Sequence, residues 1–287
     1  MTGTFHRATL VGMALLGMGL SATSARAADY NQAYTISKRA DVHVDTDDGS
    51  VTVTSSDANQ VEFRVTYEGY VLNKSLHIES SQHGDEVELS AKVPAGFFIS
   101  LGMSRKLHIE VRMPKDADLQ VKSSDGSIKA GSLTGNINLQ SSDGGITVNS
   151  LKGTVRLHSS DGTIAGSDLD CSCDAASSDG GIRLSGRFDQ LAAKSSDGSI
   201  TIEALSGSRL NSAWSIATSD GGIDLALPSD LSANIDATSG DGSISSDIPI
   251  TVEGAMSKSK LHGKMNGGGA SISLHSGDGS IRLRQVH

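Results

Sequence analysis

Nine aspartates in this 287-residue chain occupy one recurring setting: Asp-Gly, then Ser, Gly or Thr, then Val or Ile. They are Asp48-Gly49, Asp125-Gly126, Asp143-Gly144, Asp161-Gly162, Asp179-Gly180, Asp197-Gly198, Asp220-Gly221, Asp241-Gly242 and Asp278-Gly279. The five from Asp125 to Asp197 are 18 residues apart each time, and the next intervals are 23, 21 and 37. Carboxylates can ligate or donate protons. A column of them at strand spacing could hold a ladder of Ca²⁺ ions through carboxylate and carbonyl oxygens. A pair at fixed separation in a groove could hydrolyse a glycosidic bond.

The setting favours a structural role instead. Unit charges stacked at strand spacing repel by about 1 kcal/mol even in water. Each Asp can be satisfied by its own turn N–H groups and the flanking serines. The calcium-binding nonapeptide repeat has a different spacing and more glycine. Four residues after each Asp stand Thr52, Lys129, Thr147, Ala165, Arg183, Thr201, Asp224, Ser245 and Arg282, a mixture that reads as a solvated face. Trp214 is the only tryptophan, so no aromatic row is available to stack sugars. No G-x-S-x-G elbow is present for a Ser-His-Asp hydrolase. The nine histidines lack zinc-ligand spacing, and His158 and His275 face outward by parity. Gly267-Gly268-Gly269 is followed by no Lys-Ser/Thr, so it is not a phosphate loop. Cys171 and Cys173 sit two apart, about 6.6 Å along an extended strand, where a bridge is strained. Cys173 is expected to fill a core slot. No catalytic, cofactor or metal site is expected.

What positions the aspartates is a repeat, and repeats decide the fold. Counted from each Asp, positions −6, −4, +3 and +5 are apolar. They are Ile137, Leu139, Ile146 and Val148 around Asp143, and Val155, Leu157 and Ile164 around Asp161. Ile182 and Leu184 follow Asp179. Leu191, Ile200 and Ile202 flank Asp197, and Trp214, Ile216, Ile223 and Leu225 flank Asp220. Ile128 belongs to the Asp125 copy, Ile235 and Ile244 to Asp241, and Ile272, Leu274 and Ile281 to Asp278. The first copy gives Val42, Val44, Val51 and Val53. The exceptions are small: Ala130, Gly166, Ala175, Ala237 and Ser246.

A period of two means strands with one buried face. The Asp-Gly between them is a turn, with glycine supplying positive φ and Asp or Ser capping the backbone. Leu133, Leu151 and Leu169 mark the connection back. Each unit is thus two short strands and two turns in 18 residues. Stacked units bury aliphatic side chains over their own kind at ~4.8 Å. The expected fold is all-β: a single β-solenoid of stacked two-strand coils. A meander of hairpins has the same parity, but constant spacing favours coils.

Residues 28–118 are β-patterned and less regular, and are expected to form an N-terminal cap with the first coils. Residues 119–287 are expected to continue it as the regular solenoid. Arg282 and Arg284 on the last strand would guard an open edge.

Residues 1–27 read as a signal peptide. His6 and Arg7 precede a 13-residue apolar stretch, Ala8–Leu20, and Ala25-Arg26-Ala27 fits a cleavage site. Thirteen residues are short of the ~20 that span a bilayer, and no later stretch is long enough. Removing this segment takes away Arg7 and Arg26 and no acid, so the formal charge falls by two from −9. An acidic chain without basic runs is suited neither to nucleic acid nor to anionic lipid. Aromatics at 3% and 33 glycines also fit a repeat protein better than an α/β enzyme.

Five stretches resemble the bacterial "putative adhesin" β-strand-repeat proteins, an exported domain of unknown function. They are "DTDDGSVTV", "LHIEVRMPKDADLQVKSSDGSI", the "SSDGGI" and "SSDGSI" turns, "WSIATSDGGIDLALP" and "LHGKMNGGGASISLHSGDGSIRL". The resemblance covers Asp41 to Leu283. It implies a β-solenoid in the cell envelope, no established catalysis and no agreed binding residues. The leading expectation is a non-enzymatic exported scaffold, periplasmic or extracellular, binding an unknown protein or cell-wall polymer on outward residues such as Lys129, Thr147 and Arg183. A self-assembling envelope element, associating end to end through unpaired terminal strands, comes second. A carbohydrate-active β-helix enzyme comes third.

Overall fold

The computed structural model describes residues 28–94, 105–253 and 257–286. The expected signal peptide, residues 1–27, lies outside them. All the described elements are strands. The first seven are β1 (Ala28–Thr35), β2 (Ala40–Thr46), β3 (Ser50–Ser56), β4 (Gln60–Glu68), β5 (His77–His83), β6 (Glu86–Lys92) and β7 (Lys106–Pro114). The regular run is β8 (Ala117–Ser123), β9 (Ile128–Gly131), β10 (Thr134–Ser141), β11 (Ile146–Asn149), β12 (Lys152–Ser159), β13 (Ile164–Ser177), β14 (Ile182–Lys194) and β15 (Ile200–Ala204). The rest are β16 (Trp214–Thr218), β17 (Ile223–Leu227), β18 (Ala233–Ser239), β19 (Ile244–Ser246), β20 (Thr251–Val252), β21 (Lys260–Met265), β22 (Ser271–Ser276) and β23 (Ile281–Gln285).

Successive copies pair in parallel and in register, as a solenoid requires and a meander forbids. Ile137 lies between Leu119 and Val155, and Ile146 between Ile128 and Ile164. The strand before each Asp-Gly turn belongs to a first face and the strand after it to a second. β13 and β14 run round the other corner unbroken, joining the two faces, with a register shift between Gly166 and Leu169. The apolar positions of both faces meet in one continuous interior. The core residues expected from the repeat all lie in it, Ile244 being the most exposed at 8%. Ser246 does not: it is exposed, and its hydroxyl bonds the Ile248 backbone.

Chain order and stacking order part at both ends. β2 and β3 lie between β6–β7 and β8–β9. β22 and β23 lie between β16–β17 and β18–β19. The last strand is therefore interior to the stack. Arg282 and Arg284 guard no edge; they bind Asp247 at 3.2 Å and Asp224 at 2.6 Å across neighbouring coils. Antiparallel strands close the ends: β5 on β6, β4 on β7 and β1 on β4 at one, β21 and β20 beyond β18 at the other. The expected boundary at 118/119 falls inside β8, which pairs with β2 and β10.

The turn chemistry differs from expectation. The glycines of the nine Asp-Gly turns have no positive φ. Glycine is required there by contact: a Cβ on Gly144 would sit 2.2 Å from the Gly126 carbonyl oxygen of the coil below, and one on Gly162 2.3 Å from that of Gly144. Positive φ belongs to the other corner, where Ser132 (58°), Ser150 (53°) and Asp168 (53°) are left-handed. Nor does the Asp cap its own turn. Its amide donates to the preceding coil, as from Asp143 to the Ser124 carbonyl at 2.9 Å. The residue two before is a buried Ser or Thr in every copy: Thr46, Ser123, Ser141, Ser159, Ser177, Ser195, Thr218, Ser239 and Ser276. It caps the turn glycine amide in the first eight, while Ser276 donates to the Gly221 carbonyl at 3.0 Å. The Ser141 hydroxyl accepts the Gly144 amide at 3.0 Å and donates to the Gly126 carbonyl at 3.2 Å.

Candidate binding face

The stack turns its nine Asp side chains out along one ridge, all exposed. Burial, followed by the charges of Asp48, Asp143 and Asp47, raises the Asp125 carboxyl above its ordinary value. Among the described residues no group of three His, Cys, Asp or Glu is placed to hold a metal ion. Asp48 accepts a hydrogen bond from the Tyr70 hydroxyl at 3.2 Å. Burial, with help from Asp48, pushes that phenol up to about 12.

Beside the ridge lies the outer surface of the second face, made by β3, β9, β11, the start of β13 and β14, and β15. Strand parity turns alternate residues outward. The row nearer the ridge is Thr52, Lys129, Thr147, Ala165, Arg183 and Thr201; the row beyond it is Thr54, Gly131, Asn149, Ser167, Ser185 and Glu203. Most of these side chains are short, so the surface is hollow. A cavity of about 340 Å³ runs from Thr52 past Lys129 to Asn149. A second of about 250 Å³ runs from Thr147 past Arg183 to Glu203 and Arg284. Both are lined by Thr147 and Val148, so the two hollows adjoin there and together make a shallow groove across six coils.

Lys129 and Arg183 rise from this floor, both exposed. Other arginines are engaged: Arg187 with Asp170 at 2.9 Å, Arg284 with Asp224 at 2.6 Å, Arg39 with Asp118 at 2.8 Å. Those partners are held below the ordinary carboxylate range where the pairing is bidentate, Asp118 by Arg39 and Asp170 by Arg187. Lys129 and Arg183 have no acid within ion-pair distance among the described residues. The groove is thus a mixed floor, Thr, Ser and Asn side chains set among Val148, Ala165 and Leu184, carrying two uncommitted cations on an acidic protein.

A larger cavity, about 450 Å³, lies outside β1, β4 and β7. Its arginines are already paired, Arg64 with Asp29 at 3.3 Å and Arg112 with Glu62 at 3.8 Å. The other residues singled out for chemistry are dispersed. His158 and His275 are exposed on the first face. Trp214 is buried, edge-on to Phe188 with ring centres 6.2 Å apart. Cys171 and Cys173 are free, buried and side by side under the first face. A hydrogen bond from Cys171, then burial, raises the Cys173 thiol.

This is an in-register, two-faced β-solenoid with a turn ridge and an open groove. The chain belongs to the Toastrack DUF4097 family, whose model matches residues 37–284. No curated protein matches it. Among solved structures it is similar to a "putative lipid binding protein" from Parabacteroides distasonis, with 15% identity, TM-score 0.50, and 90% of this chain and 97% of that one covered. A "putative adhesin" from Parabacteroides merdae gives 13%, 0.39, 90% and 96%. One from Bacteroides fragilis gives 11%, 0.38, 90% and 97%. At such identities the likeness concerns the fold. No described helix is long and apolar enough to cross a membrane.

Proposed function

We propose that this protein is a non-enzymatic, exported scaffold of the cell envelope, periplasmic or extracellular, which holds an extended wall polymer along the outer groove of its second face. One observation carries the reading: two hollows adjoin at Thr147 and together cross six coils, lined by Thr, Ser and Asn among small apolar residues. Five of the six coils, stacked at ~4.8 Å, place a hydroxyl or amide in these two rows, which suits a ligand that itself repeats. Lys129 and Arg183 favour a polymer bearing anionic groups. The trough has no paired carboxylates across it: Glu203 is its single acid, whereas glycoside hydrolysis needs two.

A photo-crosslinker placed at Thr147 in the native host tests this. Capture of wall polymer is the expected outcome. Capture of one discrete protein would replace the polymer with a protein partner on the same groove. Capture of nothing at Thr147 would remove the groove as the binding surface.

A further inference from the structure

The end of the stack opposite β20 and β21 closes on two edge strands, β5 on the first face and β1 on the second. β1 pairs with β4 over all eight of its residues, without a register shift, and no described strand pairs with its other side. Edge strands of this length are ordinarily blocked by lysine, proline, a bulge or a cover. β1, Ala-Asp-Tyr-Asn-Gln-Ala-Tyr-Thr, has none of these. Its one charge, Asp29, is held by Arg64 at 3.3 Å. The strand is also fixed in place: the hydroxyls of Tyr30 and Tyr34 both lie 2.6 Å from the Ser80 hydroxyl on β5, and the Gln82 side-chain amide donates to the Thr35 carbonyl at 2.8 Å. An extended, rigid edge loses little entropy when it gains a neighbour. The other edges are unlike it. β19 has three residues and β20 two, while β5 carries His77, Glu79 and His83.

We propose that β1 is a dimerisation edge, to which a second copy of this chain adds its own β1 antiparallel about a two-fold axis. A two-fold perpendicular to the sheet keeps inward residues inward, so some residue must stand opposite itself. With Gln32 at the axis, Tyr30 of each copy meets Tyr34 of the other, an aromatic cross-strand pair. Asp29 then faces Thr35, so the strand's one acid never meets its own image. Asn31 faces Ala33. This self-complementarity selects a second copy over an unrelated strand. The result is one sheet running through both second faces, with the two grooves on one continuous surface. The inference is independent of what the groove binds.

The test is sedimentation of the full chain as the cell processes it, with an Asn31→Lys/Ala33→Lys variant in parallel. Both side chains are exposed in the single chain, so the variant should still fold and melt cooperatively, its midpoint falling only by the dimer's mass-action share. The two new lysine–lysine oppositions should raise the dimer dissociation constant by at least about tenfold. A Gln32→Cys variant should form a disulfide-linked dimer under mild oxidation. A protein that stays monomeric at high micromolar concentration overturns the proposal. So does a dimer that the lysine pair leaves intact, because its interface then lies elsewhere.

Discussion

The Ser159 hydroxyl lies 3.1 Å from the Gly144 carbonyl oxygen and donates to it, linking one coil to the coil below. The Ser159 hydroxyl oxygen in turn accepts the Gly162 amide at 3.0 Å, closing its own turn. One buried atom therefore satisfies a donor and an acceptor that water cannot reach. Repeated at Ser141, Ser177, Ser195 and Thr218, it forms a ladder inside the turn ridge.

Ser159→Ala should cost about 2–3 kcal/mol, because it orphans a buried N–H and a buried C=O together. Ser159→Thr should cost far less, since Thr46 and Thr218 hold the equivalent place. Denaturant midpoints of the two variants measure the difference. Equal losses would mean that volume, not hydrogen bonding, sets the site.

Glycines that look alike in sequence should respond differently. At Gly162 a Cβ would overlap the Gly144 carbonyl carbon at 2.5 Å, so Gly162→Ala must push two coils apart. At Gly84, φ is +68° and nothing lies within 4 Å, so Gly84→Ala meets only the left-handed penalty. The expected losses are more than 3 kcal/mol for the first and about 1 kcal/mol for the second. Thermal melts of both decide it.

The repeat was legible because its apolar positions recur at +3 and +5 around a fixed Asp, and a parallel stack must keep them in line. The hydroxyl at −2 was equally visible, present in all nine copies. Its capping role follows from Ser beside Asp-Gly, but its burial does not, because such a serine reads as part of a solvent-facing turn. The insertion of β22 and β23 between earlier coils left no mark in the periodicity, since any copy can stack on any other. The groove arises from side-chain length, short at Thr147, Ala165 and Ser167, and a hydrophobicity pattern does not encode depth.

Stability should respond to acid in opposite senses at two aspartates. Burial and its acidic neighbours raise the Asp125 carboxyl, so the folded chain binds that proton more tightly than the unfolded one. The ionised group opposes folding at neutral pH and ceases to do so as pH falls through its folded value. Asp125→Asn should therefore stabilise at neutral pH, with a gain that shrinks in acid and in high salt. The Arg39 hydrogen bond lowers Asp118 below 3.8, so its contribution is present above that value and lost as pH falls through the folded one. Asp118→Asn should destabilise at neutral pH and converge with the parent in acid. Melting temperatures across the acid range test both signs.

The groove's two unpaired cations should matter to binding and not to folding. Lys129→Ala/Arg183→Ala removes charges that support no ion pair among the described residues, so the melting temperature should stay within a degree or so. Two exposed charge contacts contribute up to about 1 kcal/mol each, so affinity for an anionic polysaccharide should fall about tenfold at low salt. At high salt the parent should lose the same advantage, and the two proteins should bind alike. A neutral polysaccharide should not distinguish them. If the variant binds the anionic probe as tightly as the parent at low salt, the cations are bystanders, and the hydroxyl floor around Thr147 alone must account for any affinity.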